Sequence, residues 1–326
     1  MSGGWRALRR RILTPNVSAT SLGKRGFHRK DAAATELLET IGRTFLTGYG
    51  YAAEARTAAE TEGRLEQVRP RFRGFAFEGA AMGFAMRDGL SVRRHSLVGD
   101  FLAGPAARHI YVGYVGVGWA MARLPRFRWP RPETLDPLLR WLLLDGYGFH
   151  QAYFRTRRYV HGQYQDPRFR WPAADHSAYS NRVIDQGIGR ALWFVCGADP
   201  DRVAGAIDSF APARRGDLYS GAGLAATYAG GATEDELRLF WDRAGEYRGQ
   251  LAQGSAFGAE ARVRGGVVGP ETELATRVFC GRAPEIAGQL TQDFRPSRPI
   301  DGELPAYEVW RQRVVAELHQ PAGVRR

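Results

Sequence analysis

The stretch "YVGYVGVGWAMARLP" (111–125) decides between two very different folds for this chain. An apolar, β-branched run leads into Gly116-Val117-Gly118, as in the strand–glycine–helix unit that binds a dinucleotide pyrophosphate. If the stretch is instead a helix, Gly113, Gly116 and Ala120 share one face, where small residues allow a second helix to approach closely. The first interpretation predicts a cofactor site, and the second predicts only tight packing.

Two further copies of the G-x-G-x-A signature, at 187–191 and 221–225, allow a choice between these interpretations. A dinucleotide fingerprint needs a third small residue and a preceding buried strand. The third position is Met121 in the first copy and Leu192 in the second, and no buried strand precedes the third copy. The P-loop pattern G-x-x-x-x-G-K-[ST] does not occur. The glycines therefore predict close helix packing, and we expect no cofactor.

Helix signals are dense along the rest of the chain. Capping residues or first-turn prolines mark helix starts at Asp31, Asp136-Pro137, Asp199-Pro200, Thr233 with Glu236, Pro270 and Pro284, and a last helix is expected over 306–318. Few runs alternate as half-buried strands do, and the best candidates are 108–117 and 264–269. We predict an all-α or mainly α fold of stacked helical hairpins, with a short β element near residues 108–117.

The organisation predicted is a basic N-terminal arm over residues 1–30 and a single large helical domain over residues 31–320. The arm contains "WRALRRRIL" (5–13), in which apolar Trp5, Leu8, Ile12 and Leu13 stand beside four arginines. Such a helix suits either docking on a membrane or partner, or a solvated terminus. An irregular crossover loop at 155–182, rich in Pro, Arg and aromatic residues, marks a soft boundary between two halves.

Composition excludes several classes of protein. The chain has 326 residues, 44% of them hydrophobic, which is enough for a sizeable core. Its net charge of +12 is almost wholly arginine and is spread along the chain, so it predicts no nucleic-acid interface. No apolar run approaches the roughly 20 residues that cross a bilayer, and the N-terminus lacks the apolar part of a signal peptide. We expect a cytoplasmic protein with acidic or thioester-linked substrates, an acidic carrier protein or an anionic membrane face as partners.

Candidate catalytic groups concentrate in a polar-aromatic segment (145–164) and in acids within small-residue runs. A histidine beside carboxyl and phenol groups can move protons near neutral pH. The alternative is that these groups hydrogen-bond one another at a helix junction. The candidate catalytic residues are His150, His161, Asp145, Asp185 and Glu78. The candidate substrate-binding residues are Trp119, Tyr147, Gln151, Tyr153, Gln186, Arg190 and Trp193.

Other reaction types lack their motifs in this sequence. No H-x-x-x-H, H-E-x-x-H or paired E-x-x-H pattern predicts a metal site. No G-x-S-x-G elbow predicts a serine hydrolase. The two cysteines, Cys196 and Cys280, are far apart and have no histidine nearby in sequence, so we expect two reduced, mostly buried thiols.

Six phrases of the sequence together resemble the UnbL-type enediyne biosynthesis proteins, a bacterial family of unknown function. The resemblance runs from about residue 20 to residue 318. The phrases are "LETIGRTFLTGYGYAAEA" (38–55), "RGFAFEGAAMGFAM" (73–86), "YVGVGWAMARLPRF" (114–127), "DGYGFHQAYF" (145–154), "RVIDQGIGRALWFV" (182–195) and "GLAATYAGG" (223–231).

This resemblance implies an accessory role in turning a polyketide-derived polyene into the enediyne core in an actinobacterial cytosol. The implied partners are the iterative polyketide synthase or its polyene product, and UnbV-like and UnbU-like pathway proteins. The UnbU-like proteins are membrane-embedded, so the arm is expected to contact the inner face of the membrane peripherally. The resemblance brings no catalytic motif. The sequence therefore leaves open whether the protein is an enzyme, a scaffold that shelters the polyene, or an unrelated α-helical cytoplasmic protein.

Overall fold

A computed structural model describes residues 3–91, 96–172 and 176–319 of the chain. These residues form α-helices joined by turns and by two longer connections, 122–141 and the described part of 155–176, and they contain no β-strand, which confirms the predicted all-α fold. The helices are α1 (Gly3–Leu13), α2 (Leu22–Arg25), α3 (Ala32–Glu54), α4 (Glu62–Glu66), α5 (Pro70–Leu90), α6 (Leu97–Ala103), α7 (Ile110–Met121), α8 (Leu142–Phe154), α9 (Ser177–Val195), α10 (Pro200–Asp208), α11 (Pro212–Ala229), α12 (Glu234–Ala244), α13 (Arg248–Arg264), α14 (Pro270–Cys280), α15 (Pro284–Asp293) and α16 (Ala306–His319).

Most of the predicted helix starts are confirmed; the exception is Asp136-Pro137, which is followed by a 3-10 turn, so that α8 begins only at Leu142. The Asp31 carboxylate accepts a hydrogen bond from the Ala34 amide at 2.7 Å, which satisfies one of the free N–H groups at the start of α3. Thr233 and Glu236 form a complete capping box at the start of α12. The first turns of α14 and α15 contain Pro270 and Pro284.

The long helices pack in chain order. α3 packs on α5, α5 on α7, α7 on α8, α8 on α9, α9 on α11, and α11 on α13. α14, α15 and α16 then pack on α13. This order brings side chains of α3, α5, α7, α8, α9 and α11 to one shared interior space.

Glycines make these helix crossings possible. A Cβ atom on Gly118 of α7 would lie 2.0 Å from the Leu143 carbonyl oxygen of α8. A Cβ atom on Gly221 of α11 would lie 1.8 Å from the Gln186 carbonyl oxygen of α9. Neither distance leaves room for a side chain, so the backbones touch directly. The G-x-G-x-A signatures are therefore packing sites, as predicted.

The β element expected near residues 108–117 is wrong. Residues Ala107–His109 form a 3-10 turn, and α7 begins at Ile110. β-branched residues lower helix propensity only slightly, and close packing of α7 between α5 and α8 outweighs that preference. The second strand candidate, 264–269, holds the end of α13 and the turn after it.

The basic N-terminal segment is docked on the domain. α1 packs on α3, and Arg6 Nε donates a hydrogen bond of 3.0 Å to the Glu54 carbonyl oxygen at the end of α3. Arg9 donates to the carbonyl oxygens of Glu54 and Ala55 at 3.0 and 2.9 Å. These guanidinium groups satisfy carbonyl oxygens that the end of a helix leaves unpaired, and their charge suits its negative end.

Candidate functional site

The interior space shared by the six helices is a cavity of about 480 Å³. Cavities of this size bind drug-sized molecules in other proteins. One large apolar residue from each helix illustrates the lining: Phe45 of α3, Phe75 of α5, Trp119 of α7, Phe149 of α8, Phe194 of α9 and Leu224 of α11.

Trp119 lies at the centre of an aromatic cluster in the cavity wall. Its ring centroid is 4.7 Å from that of Phe45 and 4.9 Å from that of Phe149. The rings of His150 and Tyr153 follow at 5.6 and 6.3 Å. Trp119 is buried, and so is the next residue of the G-x-G-x-A signature, Ala120. The cluster offers flat apolar surfaces against which a conjugated chain can stack.

Glu78 places an ionisable carboxyl group in this apolar wall. It sits on α5 opposite Gly116 of α7, where a Cβ atom would lie 2.1 Å from the Glu78 carbonyl oxygen, so the side chain starts from a tightly fixed backbone. Only 3% of the residue is exposed. Burial raises the pKa of Glu78 from 4.5 to about 7; the charge of Arg190 opposes this rise, and that of Asp145 adds to it.

Arg190 and Asp145 form a buried ion pair beside Glu78. The Arg190 Nη1 donates a hydrogen bond to Asp145 Oδ1, and both side chains are almost fully buried. Burial raises the pKa of the Asp145 carboxyl, against the opposing effect of Arg190. The Arg190 guanidinium also lies 5.4 Å from the centroid of the Phe149 ring. Arg190 is paired with Asp145, and Glu78 forms no ion pair within 4 Å among the described residues, so Arg190 offsets its burial only in part.

Three buried polar atoms of the cavity wall have no hydrogen-bond partner among the described residues. They are the indole nitrogen of Trp119, Nδ1 of His150 and the hydroxyl of Tyr228. The Trp119 indole favours the charged form of Glu78, and this is the smallest of the four effects on the Glu78 pKa. Burial, followed by Arg123 and Arg155, lowers the pKa of His150 to about 3, so the imidazole is neutral at physiological pH. Buried polar atoms are normally paired, and a bound molecule can satisfy these three.

The cavity opens to solvent through a rim that contains two arginines. Arg123 follows α7, Arg155 follows α8, and both are exposed and line the cavity. Phe154, also on the rim, is stacked against the His150 ring at 4.6 Å. The cavity is thus basic at its rim, aromatic in the middle and acidic at Glu78.

Five of the predicted site residues line this one cavity, and a sixth lies directly behind it. Glu78, Trp119, His150, Tyr153 and Arg190 contribute to the wall, and Asp145 is paired with Arg190. The chain brings them together from α5, α7, α8 and α9.

The other predicted residues lie elsewhere. Asp185 is paired with Arg214. Gln186 donates a hydrogen bond to Asp217, in a buried polar network to which α16 also contributes. Trp193 donates its indole N–H to the Gly230 carbonyl oxygen.

Helix geometry separates the remaining three from the cavity. His161 does not share a face with His150, because α8 ends at Phe154 and a π-helical turn, Arg157–His161, changes the helical register. Tyr147 packs against Trp129 and Phe169 on the other side of α8, with ring distances of 5.6 and 5.5 Å. Gln151 is buried, and it is not part of the cavity wall.

Sequence reasoning missed Tyr228, Phe75, Arg123 and Arg155. The rings of Tyr228 and Phe75 meet edge to face, with centroids 5.0 Å apart, although the residues are on α11 and α5. Their phrases, "GLAATYAGG" and "RGFAFEGAAMGFAM", were recognised, but nothing local in them indicates that they meet. Nothing local in the sequence indicates that the two arginines meet either. Each of them follows the end of a different helix by one or two residues.

The described residues contain neither a candidate metal-binding cluster nor a membrane-spanning helix. No three or more His, Cys, Asp or Glu side chains in the ranges above are grouped so that they could hold a metal ion. No helix within those ranges has both the length and the apolar character that a membrane span requires.

Comparison with known proteins places the chain in a family. Neither the curated proteins nor the solved structures contain a significant match to this sequence. A family model described as "Protein of unknown function (DUF1702)" matches residues 4–318, which is nearly the whole chain. The chain therefore belongs to this DUF1702 family of proteins of unknown function.

Proposed function

We propose that the protein binds a long, unsaturated, mainly apolar molecule in the Trp119 cavity and transfers a proton on it through Glu78. One observation carries this proposal: a carboxyl group whose pKa is about 7 lies in the wall of an otherwise apolar, aromatic cavity. A general acid–base works best when its pKa is close to the working pH. Near neutral pH both forms of Glu78 are therefore populated, the carboxylate that accepts a proton and the carboxyl group that donates one.

The simplest reaction that needs only this group is migration of a double bond along a conjugated chain. The Glu78 carboxylate takes a proton from one carbon, and the electron pair left behind shifts along the conjugated system. Glu78 then returns a proton to a carbon further along. One C–H bond breaks, another forms, and no other reactant is consumed. The neutral His150 and the Trp119 ring position the chain beside the carboxyl group.

The resemblance to UnbL-type proteins supports placing this step in enediyne biosynthesis. The molecule bound would then be the polyene made by the iterative polyketide synthase, and the product would go on towards the enediyne core. UnbV-like and UnbU-like proteins are the partners in this proposal. α1 supports peripheral membrane contact, since Leu8 and Ile12 are 45% and 69% exposed on a docked basic helix.

Exchange of deuterium from heavy water tests the proton transfer. The purified protein is incubated in D2O with a conjugated polyene thioester, and mass spectrometry counts the deuterium incorporated into carbon. We expect incorporation with the unaltered protein and none with Glu78→Gln, which keeps the shape of the side chain. Incorporation that persists in a folded Glu78→Gln variant would show that another group moves the proton.

A second candidate function is sheltering a reactive polyene without altering it. It is favoured by the small number of groups in the described cavity wall that are free to react, since His150 is neutral at physiological pH and Arg190 is paired with Asp145. A binder predicts saturable uptake of the polyene, no deuterium incorporation, and co-purification with the UnbV-like or UnbU-like protein. Deuterium incorporation by the purified protein alone would exclude a purely sheltering role.

A further inference from the structure

The rim of the cavity carries positive charge that the described part of the protein does not neutralise. Neither Arg123 nor Arg155 forms an ion pair with any carboxylate in the ranges described, unlike Arg126, which lines a neighbouring depression and is paired with a carboxylate. Both residues line this cavity, and Arg155 also lines the depression that Arg126 borders. We infer that the ligand of this cavity is an amphiphile, whose anionic end lies between Arg123 and Arg155 while its apolar chain extends inward to Trp119 and Glu78. This inference rests on the proposed function and adds to it the class and the orientation of the ligand.

Two observations beside the rim support an anion at this place. The electrostatic effect of Arg123 and Arg155 reaches His150, where both, together with Arg25, disfavour the imidazolium. The Arg25 guanidinium lies 4.6 Å from the centroid of the Phe154 ring, so a third positive charge lies close to the rim. Guanidinium groups bind carboxylates and phosphates through paired N–H donors. His150 Nδ1, which is buried and unpartnered, lines the cavity next to these arginines.

The inner end of the cavity fixes the orientation. Glu78 and Asp145 are both buried there, and one guanidinium, that of Arg190, already serves Asp145. A second anion at that end would meet the Glu78 carboxyl without a free cation to balance it. An amphiphile therefore enters with its apolar end first and keeps its anionic end at the rim. In this orientation the middle or far part of the chain, rather than the head group, is held against Glu78.

Two chemical sources can supply the anion. One is the carboxylate of a free polyenoic acid, and the other is the phosphate of a phosphopantetheine arm that carries the chain as a thioester. Both present oxygen acceptors that a pair of guanidinium groups recognises. The structure supports the shared chemistry, and the choice of ligand in the experiment separates the two sources.

Fluorescence binding of trans-parinaric acid, a conjugated polyenoic acid, tests the inference on the full chain. The acid, its uncharged methyl ester and its phosphopantetheine thioester are titrated separately into the protein. We expect the acid or the thioester to bind roughly ten-fold or more tightly than the ester, since hydrogen bonds to charged groups contribute that much. Tighter binding of the acid assigns the site to a carboxylate, and tighter binding of the thioester assigns it to a phosphate.

Variants then locate the anion. Arg123→Gln combined with Arg155→Gln is expected to bring the affinity for the preferred anion down to that for the ester. The matched control is Arg298→Gln combined with Arg313→Gln, which removes the same charge from exposed positions outside the cavity wall. Far-UV circular dichroism checks that both double variants keep the helical content of the unaltered protein. Equal affinity for all three ligands would overturn the inference, and so would a loss of affinity in the rim variant no larger than that in the control. Neither result would contradict binding of an apolar chain in the cavity. Absence of binding for every ligand would instead overturn the proposed function.

Discussion

Replacing Glu78 by Gln removes an ionisable group whose burial the folded protein tolerates only at a cost. The folded-state pKa is about 7 and the ordinary value is 4.5. Each unit of difference corresponds to about 1.36 kcal/mol, so ionised Glu78 destabilises the fold by about 3 kcal/mol relative to its protonated form. The contribution of protonated Glu78 is complete below pH 4.5 and is lost as the pH rises through about 7. The Gln variant has no ionisable group at position 78 and therefore lacks this loss of stability.

Urea unfolding at a series of pH values measures this effect. The free energy of unfolding of Glu78→Gln minus that of the unaltered protein is expected to rise by about 3 kcal/mol between about pH 4.5 and about pH 8. Asp185, whose pKa burial raises to about 6, titrates in the same range, but both proteins contain it and the difference cancels it. Exposed Glu285→Gln is the control and should give no such rise. If the curves for Glu78→Gln and the unaltered protein run parallel, Glu78 does not have a raised pKa and the argument for proton transfer fails.

Further predictions concern the packing and the polar contacts of the fold, and chemical denaturation measures each of them. Gly118→Ala should lower the free energy of unfolding by about 1–3 kcal/mol or more through a backbone clash. Gly205→Ala, in a helix where a Cβ atom meets nothing within 4 Å, should raise it by up to about 1 kcal/mol; equal effects would refute the crossing argument. Arg311→Met leaves Asp217 buried with one fewer charge partner and should cost about 3–5 kcal/mol, and a neutral result would show that the network is dispensable. Thr233→Ala should cost about 1 kcal/mol by loss of the capping box, and no change would mean that the cap adds no stability.

The fold was largely predictable because its rules are local. Capping at Asp31 and Thr233 depends on residues within one turn, so the sequence alone predicts both helix starts, and the capping contacts confirm them. The β element near residues 108–117 was predicted wrongly for the opposite reason. Whether that stretch is a strand or a helix depends on the partners that Gly116 and Gly118 meet, and those partners lie on α5 and α8.

The site was predictable only where a residue was unusual in its own segment. Glu78 is an acid within a run of small apolar residues, and His150 and Trp119 belong to recognisable phrases. Asp185 is unusual in the same way, but its partner Arg214 lies on another helix and makes it part of a structural ion pair. The charge of the rim was not predictable, because exposed arginines are frequent in this chain and only the fold shows which two of them share an opening.

The most direct test of the cavity as a ligand site is a crystal structure of the protein with ω-bromododecanoic acid. This molecule has an apolar chain, an anionic end, and a bromine atom that anomalous scattering locates without ambiguity. We expect a bromine peak inside the cavity, among Met82, Trp119 and Tyr228, with the carboxylate at the Arg123 rim. A bromine peak on the surface or in another depression, with the Trp119 cavity closed to the chain, would contradict the claim that this space binds a long apolar molecule.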